Sequence, residues 1–391
     1  MEPEIAPHPA STQVIDFADW AANATESTYI SLARPQEEDG ESTEPVEITT
    51  FNPDFTYPIF GDHETIFGYK NLSIELKYSS GSLQPFLNIQ YSSKYSGSYS
   101  IDDVWKTLQE HFPQGYMTKQ DDFIETVKRD HTAFRPIGEK IHEYTRDGEK
   151  GEEQFEIYKC SFANQKFREY HARMQLFVLL FIEGGSYIED DDEKWEIYTI
   201  FKKEGAHSLA SYHFVGYCTA YPFYFWPENT RMRISQFLVL PPYKKRGHGS
   251  ELYRILYQLF KSRQEVSEIT VEDPSEEFAD MRDKNDIHYL LEHEGFKGLK
   301  APISRETFDR LHQEYKFTDR QLHRCIEIYL LSNVDKSNEQ DYRTYRLQVK
   351  DRLYRFNYDI LQELEQDERK AKLDETYLNL EDEYHRVLEL I

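Results

Sequence analysis

Polar and apolar positions change rhythm several times along this chain, and each change marks an element. Leu72, Ile74, Leu76 and Tyr78 alternate with polar residues, as do Leu87, Ile89 and Tyr91 beyond Ser79-Ser80-Gly81-Ser82. A period of two on both sides of a short loop of small residues predicts an antiparallel hairpin. The pattern predicts a short helix over Asp102 to Phe112 and a longer one over Asn164 to Ile182, which leads into the charged turn IEDDDEKW at Ile188 to Trp195. Strand-like runs follow at Glu196 to Lys202, His213 to Phe225 and Arg233 to Leu240, divided by turn residues at Glu204-Gly205-Ala206 and Pro227 to Thr230. An antiparallel meander is the economical reading. After Pro241-Pro242 and a loop containing glycine, Leu252, Ile255, Leu256, Leu259 and Phe260 recur at helical spacing, and Val266 to Val271 is again strand-like, ending at Glu272-Asp273.

Residues 301–391 read as helices, with capping-box starts at Thr318-x-x-Gln321 and Ser337-x-x-Gln340 and an apolar stripe at Leu353, Phe356, Ile360 and Leu364. No repeat of fixed period is present, which argues against a solenoid or propeller. The organisation expected is therefore a polar tail over residues 1–45, rich in Glu, Pro, Ser and Gly from Arg34 to Glu47. A mixed domain with the hairpin follows over 46–120, then a strand-and-helix domain over 121–300 and a helical domain over 301–391.

Composition narrows what such a chain does. At 391 residues it is long enough for two or three domains. Its 29 Tyr and 25 Phe set against a hydrophobic fraction of 39% mean that aromatic rings supply much of the burial. With 46 Lys and Arg against 71 Asp and Glu, the net charge of -25 repels a phosphate backbone, so direct nucleic-acid binding is not expected. The same charge attracts basic ligands, although solubility alone also accounts for it. Cys160, Cys218 and Cys325 form no CxxC pair and have no clustered histidines, so neither a disulfide framework nor a zinc site is expected, which fits a reducing compartment. Cys218, in an apolar strand, reads as a core thiol. The apolar run Met174 to Ile182 is about half the length of a bilayer-spanning helix, and MEPEIAPHPA lacks the layout of a signal peptide. A soluble intracellular protein without membrane attachment is the expectation.

Chemistry concentrates in Ile234 to Phe260, ISQFLVLPPYKKRGHGSELYRILYQLF. A helix that starts after a glycine loop presents unpaired N–H groups and a positive dipole end, both suited to a pyrophosphate. Gly247 and Gly249 let the backbone approach the phosphate oxygens closely. The competing reading is an ordinary loop with helix-capping glycines. In the same way, Glu272-Asp273-Pro274 either ends a strand and caps the next helix or supplies reactive carboxylates, and Glu189 to Glu193 is either a solvated turn or the wall of a basic-ligand groove.

Lys244-Lys245-Arg246-Gly247-His248-Gly249 resembles the coenzyme A pyrophosphate loop of GNAT acetyltransferases, Q/R-x-x-G-x-G/A, with Lys244 in place of Gln or Arg. The phosphate is held there mainly by main-chain amides, and an ammonium remains compatible with it. FLVLPPY (Phe237 to Tyr243), GHGSELY (Gly247 to Tyr253) and VEDPSEEF (Val271 to Phe278) are similar to the catalytic subunits of type B histone acetyltransferases. So, in the same order, are FGDHETIFGYKNLSIEL (Phe60 to Leu76), FIEGGSYIEDDDEKW (Phe181 to Trp195) and VGYCTAY (Val215 to Tyr221). The resemblance runs from about residue 50 to about 295. It implies an α+β GNAT fold between an N-terminal mixed domain and a C-terminal helical one, with acetyl-CoA as cosubstrate and no metal. It further implies the free histone H4 tail as substrate, a WD-repeat histone-binding subunit as partner, and a place in cytoplasm and nucleus.

Residue by residue, the resemblance implies that Phe237, Leu238 and Val239 line the acetyl and pantetheine arm and that Lys244, Lys245, Arg246, Gly247, His248, Gly249 and Ser250 hold the pyrophosphate, with Ser275 and Lys284 as further cofactor contacts. Acetyl transfer to lysine needs a neutral amine, so a base must remove a proton whose intrinsic pKa is about 10.4. Glu272 is the candidate base, with Asp273 and Glu183 as accessory carboxylates. Asp62, His63, Glu64, Trp195, Tyr221, Pro222 and Phe223 match histone-contacting stretches. A GNAT enzyme acting on a small amine or another protein, and a non-catalytic histone-binding subunit, are the alternatives.

Overall fold

The computed structural model describes residues 17–35, 46–148, 151–205 and 210–391. The chain divides into two compact units, one of Met1–Pro136, Arg168–Ile188 and Lys203–Phe214, the other of Ile137–Phe167, Glu189–Lys202 and Val215–Ile391.

The first unit holds the expected hairpin. Ser73–Ser79 pairs antiparallel with Pro85–Gln90, and the register sets Ile74 opposite Ile89 and Leu76 opposite Leu87, so the apolar faces coincide. The sheet has four strands, in the order Val46–Phe51, Thr28–Pro35, Ser73–Ser79, Pro85–Gln90. The expected tail over 1–45 is corrected here, because Thr28–Pro35 is an inner strand that buries Ile30, Leu32 and Ala33; residues 1–16 and 36–45 lie outside the described residues. The helix Gln120–Ala133 lays Phe123 and Val127 against Ala33, Val46 and Phe86. The boundary expected at 121 therefore moves to Ile137. The short helix is Val104–Gln109, capped by Asp103. The long one divides into Gln165–Met174 and Leu176–Phe181, where the Val178 N–H reaches back only three residues, to the Gln175 carbonyl, and tightens the turn.

The second unit is built on a six-stranded sheet in the order Val266–Val271, Asn229–Val239, Ser211–Phe225, Glu196–Glu204, Gly151–Ser161, Glu139–Gly148. Its last two strands were not foreseen. Ser211–Phe225 and Asn229–Val239 run antiparallel, whereas Val266–Val271 joins parallel to the latter. The helix His248–Lys261 buries Leu252, Leu256 and Phe260 as its spacing predicts, but Tyr253 and Tyr257 fill the core in place of Ile255 and Leu259, which are only partly buried.

The C-terminal helices are Arg305–Tyr315, Asp319–Asn333, Glu339–Phe356 and Gln366–Leu390. They are not a separate domain, because their apolar faces enter the core of the sheet unit. Tyr257 stacks on Phe317 at 5.1 Å and donates its hydroxyl to the Tyr315 carbonyl at 2.8 Å. Thr318 caps its helix as expected, but the Gln321 amide turns away to Asp283 and Asp286. At the other expected box the cap is Asn338, one residue beyond Ser337. The stripe also differs, since the helix ends at Phe356 and leaves Phe356 73% and Ile360 69% exposed, while Tyr345, Val349 and Leu353 form the buried face.

Candidate functional site

The parallel register between Asn229–Val239 and Val266–Val271 ends at Ile234 opposite Val271. The Glu272 N–H still donates to the Ile234 carbonyl at 2.9 Å. The chain then leaves the sheet through Asp273, at φ 33°, and enters the helix Glu276–Glu292. Residues 236–239 keep their pairing with Gly216–Thr219, Ser235 being the extra residue where that register shifts, but they have lost the pairing with the last strand. A gap opens on that side, bordered by a strand edge whose amides can accept an extended ligand as a further strand. Alternation buries Gln236 and Leu238 and turns Phe237 and Val239 to the other face.

Immediately beyond lie a 3-10 turn at Pro241–Tyr243, then Lys245 at φ 61° and Gly247 at φ 82°, the N-cap of His248–Lys261. No side chain caps this helix start, so its first N–H groups remain for an anion. The side chains of the loop have other partners. Arg246 pairs with Glu153, to which Lys202 also reaches at 2.9 Å. His248 is buried, hydrogen-bonded through Nδ1 to the Tyr144 hydroxyl at 2.8 Å and packed 4.3 Å from the Phe155 ring; burial pushes its pKa down to about 4. Arg246 and His248 thus anchor the loop to the sheet, and their backbones are what they offer a pyrophosphate. A Cβ at Gly249 would stand 3.1 Å from Met281 Sδ and 3.6 Å from Phe237, so this glycine also sets how closely the helix packs. Arg146, which approaches the Gly247 carbonyl at 3.4 Å and Glu251 at 3.1 Å, frames the loop without any signal in the sequence.

The helix Glu276–Glu292 closes the far side. Ser275 is its cap, accepting from the Phe278 N–H at 3.2 Å, a task the sequence allowed to Asp273. Phe278 meets the Phe237 ring edge-on at 4.9 Å, and Asn285 donates to the Ser250 hydroxyl at 3.1 Å. Lys284, one position around the helix, instead gives its ammonium to the Leu390 carbonyl at 2.8 Å. Asn285 rather than Lys284 is the residue that reaches the loop.

Glu272 is exposed and faces Arg233, whose Nε lies 3.6 Å from its Oε2. A row of rings continues from there. Arg233 lies over Phe223 at 4.1 Å, Phe223 is 4.9 Å from Tyr221, and Tyr221 is 4.9 Å from Trp195. Tyr221 donates its hydroxyl to Asp192 at 2.7 Å; the Lys194 amide and that hydroxyl hold the Asp192 carboxyl below its usual range. Pro222 falls on the opposite face of the strand, and Glu189, Asp190 and Asp191 are exposed. Cys218 is buried and its thiol is pushed well up by burial, as for a core residue.

The remaining candidates belong to the first unit. Asp62 and His63 are exposed on a turn, and Glu183 is exposed beyond Leu176–Phe181. Glu64 is committed to structure, because its Oε1 accepts from the Thr56 and Tyr57 amides at 2.5 and 3.0 Å and from the Thr56 and Thr25 hydroxyls at 3.1 and 3.2 Å. Among the described residues no group of His, Cys, Asp or Glu is arranged to hold a metal ion.

Diverging strands with a glycine-capped helix start beside them define an acetyltransferase of the GNAT fold, and residues 166–280 match the profile described as Acetyltransferase (GNAT) family. Flanking segments match Histone acetyl transferase HAT1 N-terminus over residues 20–183 and Fungal HAT1, C-terminal over residues 283–335. The chain is 38% identical to a histone acetyltransferase type B catalytic subunit of Cryptococcus neoformans, over 95% of this chain and 97% of that protein. The corresponding subunit of Mycosarcoma maydis is 39% identical over 93% and 87%, and that of Mus musculus 35% identical over 86% and 81%. The chain belongs to the family of histone acetyltransferase type B catalytic subunits.

Proposed function

We propose that this enzyme transfers acetyl from acetyl-CoA to lysines of the free histone H4 N-terminal tail, by direct attack of the amine in a ternary complex with Glu272 as general base. The observation that carries the reading is the divergence of the strands at Ile234 and Val271, with Glu272 still tied by its amide to Ile234 at the mouth of the gap. The edge at Phe237, Leu238 and Val239 receives the pantetheine arm, and the N–H groups from Lys244 to Ser250 receive the pyrophosphate. Glu272 takes the proton from the lysine amine as its nitrogen bonds to the thioester carbonyl carbon; the carbon–sulfur bond then breaks, and the thiolate leaves and takes up a proton. Asp273 adds negative potential for the incoming ammonium, and Glu183, exposed on the first unit, is a further candidate carboxylate. The Trp195, Tyr221 and Phe223 rings, Pro222 and the acidic turn favour a basic tail, as the family's histone substrates require, and Asp62 and His63, exposed on the first unit, are further candidates for histone contact. A WD-repeat histone-binding subunit as partner, and work in cytoplasm and nucleus, complete the reading.

Incubation with labelled acetyl-CoA, a panel of histone peptides and spermidine as control tests it. Label entering the H4 tail peptide in preference to the others is the expected outcome; preference for spermidine, or no transfer at all, would replace it with one of the alternative readings. Glu272→Gln should lower kcat by about a hundredfold or more while leaving acetyl-CoA affinity unchanged. A rate close to that of the parent would remove Glu272 from the role of base.

A further inference from the structure

A lysine brought to a carboxylate base approaches as an ammonium, and the surroundings that bind such a cation are a carboxylate and the face of an aromatic ring. Both are present at the mouth of the gap, and a cation of the chain itself stands between them. The Arg233 guanidinium lies 4.1 Å over the Phe223 ring, with Nε 3.6 Å from Glu272 Oε2. We infer that Arg233 is the resting occupant of the cation site that receives the substrate's lysine, and that it is displaced when the peptide binds. The inference rests on the reading of Glu272 as the base.

The character of the contact supports exchange. Nearby arginines of this unit are locked to their carboxylates: Arg263 grips Glu196 through two hydrogen bonds of 2.7 Å, and Arg231, on the same strand as Arg233, is hydrogen-bonded to Glu268. Arg233 is different. Its separation from Glu272 is too long for a hydrogen bond, and its Nε is buried with no hydrogen-bond partner. An N–H removed from water without an acceptor is destabilising, so little is lost when another cation takes the place. Access is open, since the Arg233 and Glu272 side chains are 35% and 42% exposed. Tyr221 sits directly opposite Arg233 in the strand register and Trp195 packs against Tyr221, so the rings continue as an apolar track suited to the methylene chain of a lysine.

The test compares two peptides that differ at one position, a lysine and its uncharged isostere norleucine, binding to the full chain in the presence of coenzyme A, which permits no turnover. Arg233→Met frees the ring and the carboxylate. Calorimetry should then show the lysine peptide binding about two- to fivefold more tightly, the range of an exposed cation–aromatic contact, with the norleucine peptide unchanged. Arg233→Lys, which restores a cation over the ring, should return the parent's affinity. Arg233→Gln serves as the second neutral variant should the methionine disturb folding. Equal changes for both peptides, or none for either, would overturn the inference. Turnover by Glu272→Gln reports separately on the base: an unimpaired rate there sinks the base, whereas an impaired rate with unaltered peptide selectivity in Arg233→Met sinks only the cation site.

Discussion

His248 opens the helix after Gly247, yet its imidazole lies in the core against Phe155, where burial pushes its pKa down to about 4. Burial does the same to His171 and His323, each also pushed to about 4. For such groups the unfolded chain binds protons first as pH falls, so stability declines from about pH 6.5 toward pH 4 and is fully present above that window. Urea midpoints should therefore drop between pH 7 and pH 5, and His248→Gln should flatten part of the decline while lowering the midpoint at pH 7. Glu64 has the same sign for a different reason and in a more acid window. The Thr56 amide above all holds its carboxyl below the usual value, so its contribution is present at neutral pH and is lost as pH falls through that lowered value. Glu64→Gln should cost about 1 kcal/mol at pH 7 by denaturant unfolding, as expected for a lost cap, with a much smaller difference in strong acid.

At the scale of elements, the helix Glu276–Glu292 does most to assemble the site, because Phe278, Met281 and Asn285 touch the strand edge and the glycine loop. Ser275→Ala should cost about 1 kcal/mol in thermal or chemical unfolding and loosen the segment that carries Glu272. Gly249→Val should weaken acetyl-CoA binding for two reasons, obstruction of the backbone approach and displacement of the helix by the contact with Met281; unchanged affinity by calorimetry in a folded variant would show that the loop is misassigned. The hairpin at Ser73–Gln90 and the succession of strand, loop and helix from Asn229 to Lys261 were legible because their buried positions follow periods of two and 3.6. Glu139–Gly148 and Gly151–Ser161 were not, since they are crowded with charge and their register slips at Ile157 and Tyr158. Thr28–Pro35 was missed because its buried side chains include Thr28, Ser31 and Ala33, which give no apolar rhythm. The loop motif disclosed backbone geometry but not the side-chain anchoring of Arg246 and His248. Nor did any motif point to Asn285, which reaches Ser250 only because two helices pack there.

For the whole molecule, a net charge of -25 leaves two readings of the acidic turn at Glu189 to Glu193, and the structure adds that Asp192 is held by Tyr221 within the ring row. Replacing Glu189, Asp190 and Asp191 together by Gln, Asn and Asn preserves size and removes exposed charge. KM for an H4 tail peptide should rise with kcat little changed, and the salt dependence of the rate should weaken, because such charges act over about 8 Å at physiological ionic strength. Kinetics at two ionic strengths check this; an unaltered KM and salt slope would leave the turn as solvated surface. The core shared between the sheet and the C-terminal helices bears on how this chain tolerates exchange of parts. Tyr257 meets Phe317 and Tyr315, and Gln321 bridges Asp283 and Asp286, so the two halves of each contact lie on opposite sides of any junction placed near residue 300. A chimera that takes residues beyond that junction from a relative sharing only about a third of its positions would inherit mismatched volumes and unpaired buried carboxylates, and should fold only if both sides of the seam are transplanted together.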